Sequence, residues 1–275
     1  FIPQSHLHDL EYVALSYAWG SVNNSIKTTA SNLEAMTERL PWFQLPKTIQ
    51  DAILLTRELG VRYLWVDALC ILQSEAPNDA KHRDDWSYEA ARFGQYYQNA
   101  LLTIAAAEAR SSDDGLLLQR PALRFEPKSI TLRRGQPHRE RQDTIRPRIP
   151  SWYTETQNAP LLRRGWATQE QVLSKRVLHF AANMILWECH ECQATELDPQ
   201  GSNPMGPDKG PETVSKFITL FRDLQINDQE HPNFMYQWYK FIENYSSKDF
   251  TFISDRLPAL SGIAAVIQNR TQQKY

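Results

Sequence analysis

Three short apolar runs, separated by two segments of helical periodicity, constrain this chain more than any other feature. The first, Tyr12 to Trp19, is aromatic-rich and bounded by Gly20, the pattern of a buried strand entering a turn. A helix then fits Leu45-Pro46 to Gly60. Pro46 suits the first turn, Gly60 the position just past the end, and Ile49, Ala52, Ile53, Thr56 and Leu59 share one face. Val61 to Leu69 reads as the second strand. The polar stretch from Gln73 to Asp84 leads into a helix over Asp85 to Gln98, whose core side carries Trp86, Ala90, Phe93 and Tyr97. Ala100 to Ala107 is the third run, closed by the turn Ser111 to Gly115. Strand, helix, strand, helix, strand predicts an α/β fold in which helices flank a mostly parallel sheet joined by right-handed crossovers.

Beyond residue 119 the character changes. Residues 120–150 hold nine Lys/Arg against three acids. Phe125 is the only aromatic there to stack on a base, so a hairpin or loop insertion is favoured over a nucleic-acid patch. Residues 151–275 then read as an α+β extension packing on the 1–119 core. It comprises a helix from Arg163 to Gln171 and a hairpin from Arg176 to Phe180 with Met184 to Cys189. A Pro/Gly-rich linker or loop from Leu197 to Glu212 follows, then a helical region from Val214 to Tyr245. The chain begins at Phe1 and stops just after the helical Gly262 to Ile267, which suggests a segment of something longer.

A net charge of -2 supplies no global field toward nucleic acid or an anionic membrane. No apolar run approaches the length of a bilayer span, and the first residues lack the basic-then-apolar pattern expected of a signal peptide. Three cysteines, Cys70, Cys189 and Cys192, fit a reducing, cytoplasmic compartment. Cys189-His190-Glu191-Cys192 has the CxxC spacing with His179 nearby, yet only Cys70 remains as a further thiol, so zinc and redox chemistry are both disfavoured. There is no glycine-rich phosphate loop, no GxSxG and no HExxH, which excludes three large enzyme classes.

Six blocks in order resemble the HET (heterokaryon incompatibility) domain family of fungal proteins. They are Tyr12 to Gly20, Leu45 to Ile53, Arg62 to Ile71, Asp85-Trp86 with Glu89-Ala90-Ala91, Arg164 to Glu170 followed by Arg176 to Phe180, and Ser254 to Gly262. Gly165 departs slightly from the family's pattern between Arg164 and Trp166. The resemblance implies a self/non-self recognition protein whose output is cell death, and a distant likeness to the TIR fold, a flavodoxin-like sheet. Several TIR domains cleave NAD between nicotinamide and ribose, so the resemblance also implies NAD or a related nucleotide as substrate, with no resident cofactor, and self-association of the chain.

In an open parallel sheet, ligands bind beyond the carboxyl ends of the strands. That rule places Ser16, Tyr17, Trp19, Gly20 and Asp67 around one crevice. Tyr17 and Trp19 offer aromatic faces or serve as core, Ser16 is a hydroxyl donor, and Gly20 permits close backbone approach. Asp67 binds ribose hydroxyls or caps a turn. Glu89, beside the stripe that holds Trp86, is the first catalytic candidate, against the reading of a solvated helix-face acid. In active TIR domains a Glu follows an Asp-Trp pair, here at a spacing one residue shorter. Glu170 is the rival, four residues after Trp166 and next to Gln169, with Arg163 or Arg164 as a structural ion-pair partner. Either carboxylate could stabilise an oxocarbenium-like transition state. The competing readings are an assembly-activated NAD glycohydrolase, a non-enzymatic module acting through homotypic contacts, and an unrelated reused enzyme.

Overall fold

The computed structural model describes residues 10–20, 26–76, 79–119, 130–134, 141–145, 150–157, 159–189, 191–202, 217, 221 and 232–271, with backbone alone for 130–134, 141–145, 202, 232, 233 and 271. Its strands are β1 (Tyr12–Ser16), β2 (Tyr63–Trp65), β3 (Leu102–Ala105), β4 (Ile130–Arg134), β5 (Arg141–Ile145), β6 (Arg176–Phe180), β7 (Ile185–Cys189), β8 (Gln193–Thr195) and β9 (Asp198–Ser202). Seven of them form one sheet in the order β2-β1-β3-β6-β7-β8-β9, while β4 and β5 pair separately as a hairpin within the basic segment.

The sheet is α/β as expected, but only half of it is parallel. β2, β1, β3 and β6 run parallel, and β6 to β9 alternate in direction. Connection length explains the change: residues 181–184 and 190–192 are too few for a crossover and leave only hairpins. The region expected as an extension therefore continues the same sheet as the 1–119 core. The chain moves from β1 to β2 on one side and then to β3 on the other, so crossovers diverge above the carboxyl ends of β1 and β3.

Side chains alternate between the two faces of each strand, and the faces differ. One buries Val13, Leu15, Leu102 and Ile104 beneath Ile49 and Ala52 of α2 (Lys47–Glu58), which follows the short α1 (Leu33–Glu38). Burying a side chain the size of Leu15 or Ile104, both fully enclosed, contributes about 1.5–3 kcal/mol relative to exposure. The other face carries the smaller Ala14, Ser16, Thr103 and Ala105. Ala14 meets Phe93 and Tyr97 of α5 (Phe93–Asn99), and Ala105 meets Ala167 of α7 (Gly165–Leu173). On its far side α7 contributes Val172 and Leu173 to a second core. That core contains Phe217, Phe221, Phe234, Phe241 and Tyr245, the last three on α8 (Pro232–Ser246), and Leu260 and Ile263 of α9 (Pro258–Thr271).

Gly60 ends α2 as its position predicts. Its φ is 74°, its N–H donates to the carbonyl of Arg57, and the Val61 N–H reaches back to Thr56 at 3.1 Å, closing the helix with a left-handed residue. Three expectations need correction. The strand expected over 61–69 is only β2, because Asp67–Cys70 turns into a short helix, α3, with the Asp67 carboxylate accepting from the Ala68 N–H at 2.7 Å. The helix expected over 85–98 is two, α4 (Ala80–Ala90) and α5. Asp79 caps α4 by accepting from the His82 N–H, and α4 has no buried residue whereas α5 buries Phe93 and Tyr97. The linker expected over 197–212 begins with β9, since an edge strand tolerates Pro199; residues 203–212 lie outside the described residues. A further helix, α6 (Trp152–Gln157), precedes α7.

Candidate functional site

Ser16, the last residue of β1, faces α7, and its hydroxyl donates to the Glu170 carboxylate. The same register that points Ala14 at α5 thus puts a polar group at the strand's end. Around this contact the chain gathers further polar atoms. Arg164, just before α7, donates from Nη1 to the Tyr17 carbonyl at 2.6 Å, and Trp19 Nε1 donates to Asp67 Oδ2 at 2.9 Å. The Tyr97 hydroxyl donates to the Leu15 carbonyl at 3.2 Å. Glu170, Ser16, Tyr17 and Tyr97 are buried, whereas Trp19, Asp67 and Arg164 are half-exposed, giving an enclosed inner part and a rim.

Enclosure sets the electrostatics. Desolvation pushes the Glu170 carboxyl up to about 7; the Ser16 hydrogen bond and the Arg164 charge oppose that rise, and the Asp67 charge adds to it. Asp67 is also raised, by desolvation first, against the pull of the Trp19 and Ala68 hydrogen bonds and of Arg164. The Tyr17 phenol is held well above its ordinary value by burial and by Asp67, so it remains a donor throughout the neutral range. One guanidinium thus serves two carboxyls that titrate higher than carboxyls in water.

The remaining sequence candidates lie around this group in different settings. Glu89 is half-exposed on α4 and accepts from the Tyr96 hydroxyl; among the described residues no hydrogen bond or ion pair joins it to Ser16, Tyr17 or Glu170. Trp86 and Trp166 meet edge-on at 5.8 Å, and Trp166 Nε1 donates to Asp255 at 3.2 Å. Gln169 is buried and ties α7 to α9, accepting from the Gly262 N–H at 3.0 Å. Gly20, at φ 82°, makes its close approach to protein: a Cβ there would lie 2.6 Å from that of Ser111, so the loops following β1 and β3 press together.

Sequence reasoning valued Arg164 only as a structural partner and Tyr97 only as core. It weighed His179 only beside the CxxC and missed Glu188; both are buried, His179 Nε2 lies 3.4 Å from the Glu188 carboxylate, and Gln171 donates to that carboxylate at 2.9 Å. An acid at the inward register of an otherwise apolar strand was the available signal for Glu188. Among the described residues no three His, Cys, Asp or Glu side chains assemble as a metal site. No described helix is long and apolar enough to cross a membrane.

The family described as Heterokaryon incompatibility protein (HET) matches residues 12–170, more than half of the chain. The chain belongs to the HET family. The match runs from the first residue of β1 to Glu170, so it takes in both sides of the polar cluster and the helices that build it. No curated protein and no solved structure matches the chain.

Proposed function

We propose that this HET domain acts in fungal self/non-self recognition by triggering cell death, and that it does so by hydrolysing the nicotinamide–ribose bond of NAD, with Glu170 as the carboxylate. The observation that carries this reading is the buried Ser16–Glu170 pair, flanked by Tyr17, Asp67 and Arg164 beyond the carboxyl ends of β1 and β3. The order β2-β1-β3 is also that of doubly wound sheets of the flavodoxin type, which bind nucleotides beyond the carboxyl ends of such strands, and this supports the TIR-like reading.

The chemistry follows from the groups present. An ionised Glu170 stabilises positive charge developing on the ribose as the glycosidic bond lengthens. With its carboxyl near 7 it also exchanges a proton readily with an incoming water at neutral pH. Arg164 suits a phosphate, Asp67 the ribose hydroxyls, and the half-exposed Trp19 offers an aromatic face to a base, while Tyr17 stays buried in the core behind β1. Glu89 takes a supporting part in this reading, because it belongs to the Tyr96 hydrogen bond on the half-exposed α4.

Nicotinamide release by purified, concentrated protein tests the proposal. Glu170→Gln is expected to lower the rate by about 10²–10³ and Glu89→Gln far less. Activity should rise with pH through a midpoint near 7, as Glu170 ionises. A wild-type protein that kills cells but releases no nicotinamide would overturn it. That result would favour a homotypic signalling module. The observation on its side is that Ser16, Tyr17 and Glu170 are each less than 10% exposed and already partnered within the fold, a structural lock that assembly would have to open.

A further inference from the structure

The turn joining β7 to β8 brings two thiols together. Cys189 ends β7, Cys192 precedes β8, and their sulfurs lie 3.9 Å apart. Both residues are half-exposed and both thiols are free. The hairpin fixes this geometry through its backbone: the Cys189 N–H donates to the Cys192 carbonyl at 3.0 Å, and the Cys192 N–H donates to the Cys189 sulfur at 3.4 Å. A disulfide needs the sulfurs at about 2.0 Å, so the two have to approach by a further ~1.9 Å to bond.

We propose that Cys189 and Cys192 form a reversible dithiol–disulfide pair oxidised by hydroperoxides. Cys189 attacks first, because the Cys192 N–H points at its sulfur from 3.4 Å and favours a thiolate there. Although desolvation works against its ionisation, the N–H groups of Cys192 and Glu191 and the side chain of Trp187 outweigh it, and the thiol is lowered overall. Cys192 is raised, by desolvation and by the neighbouring sulfur, and so acts second. In the first step the Cys189 thiolate takes the outer oxygen of the peroxide, becoming a sulfenic acid as the O–O bond breaks and the other oxygen leaves as hydroxide or alkoxide. In the second, the Cys192 sulfur attacks the Cys189 sulfur; the S–S bond forms, the S–O bond breaks, and the hydroxyl leaves as water with the Cys192 proton. A dithiol reductant reverses the pair by exchange. This reading is independent of any NAD chemistry. The sequence reading disfavoured redox chemistry, but the spacing left open the separation and exposure of the sulfurs that the structure supplies.

The test uses the purified chain with Cys70→Ser, so that the exposed third thiol cannot interfere. Brief treatment with hydrogen peroxide is expected to remove both alkylatable thiols together. Intact mass should fall by two hydrogen atoms, peptide mapping should join Cys189 to Cys192, and dithiothreitol should restore both thiols. With Cys192→Ser added, dimedone should trap a sulfenic acid on Cys189; with Cys189→Ser added, Cys192 should remain alkylatable. The proposal is overturned if peroxide leaves Cys192 alkylatable while Cys189 gains two or three oxygens, or if both thiols survive peroxide that oxidises free cysteine. It is likewise overturned if the protein is isolated with stoichiometric zinc that the Cys189→Ser and Cys192→Ser variants lose.

Discussion

The two faces of the sheet are built from the same strands and solve different problems. Toward α2, Val13, Leu15, Leu102 and Ile104 make a dry aliphatic layer. Toward α5 and α7, Ala14 and Ala105 keep the helices close while Ser16 and Thr103 meet Glu170 and Ser174 through hydroxyls. The first face stabilises the domain without needing any particular charge. The second holds a carboxylate whose proton depends on its enclosure. Stability and chemistry are thus divided across a single layer of backbone, and residues adjacent in sequence serve opposite ends.

Substitutions can break this division at either face. The largest effect is expected from Leu15→Ala, which opens a cavity on the dry face and should cost about 2–5 kcal/mol in urea unfolding with no change in its pH dependence. Next comes the carboxyl face. Glu170 binds its proton more tightly folded, near 7, than at its ordinary 4.5, so the stability it confers is complete below about 4.5 and is lost as pH rises through 7. Between pH 5 and pH 8 the unfolding free energy should fall by about 2–3 kcal/mol, and Glu170→Gln should flatten that slope. Asp67, also raised, adds in the same direction.

Arg164→Met sharpens the comparison further. It removes the cation that opposes the rise of both Glu170 and Asp67, so the midpoint of the pH-dependent stability should move upward by on the order of one unit. A midpoint that stays in place would show that Arg164 acts only through its hydrogen bond to the Tyr17 carbonyl. The smallest effect belongs to Glu89→Gln, half-exposed on α4, which should change unfolding by no more than about 0.5–1 kcal/mol.

What the sequence made legible follows the same division. The aliphatic runs and the Pro46 and Gly60 boundaries of α2 declared themselves because periodicity and helix-end chemistry are local. The three parallel strands at the chain's start followed. The antiparallel addition was half visible, as a hairpin over 176–189, but nothing local told that β6 joins β3, since that pairing rests on contacts between distant segments. Ser16 and Asp67 were legible as neighbours at the strand ends, and Asp67 as an acid at a costly place. That Glu170 joins them was not, because it meets Ser16 only after α7 is pressed onto the sheet by the aromatic core behind it. The end of β2 misled for a related reason: Asp67 reads as a strand terminus until its own carboxylate is seen turning the chain.

The two borders of the seven-stranded sheet limit how copies of this domain can meet. On one side β2 is three residues long, too short to template another chain's backbone. On the other, β9 carries Pro199 and Gly201, with its pairing to β8 shifted out of regular register. Short, proline-bearing and irregular borders discourage strand addition. A filament or ring of these domains would therefore be assembled through helices and loops, with each sheet remaining closed to its neighbour.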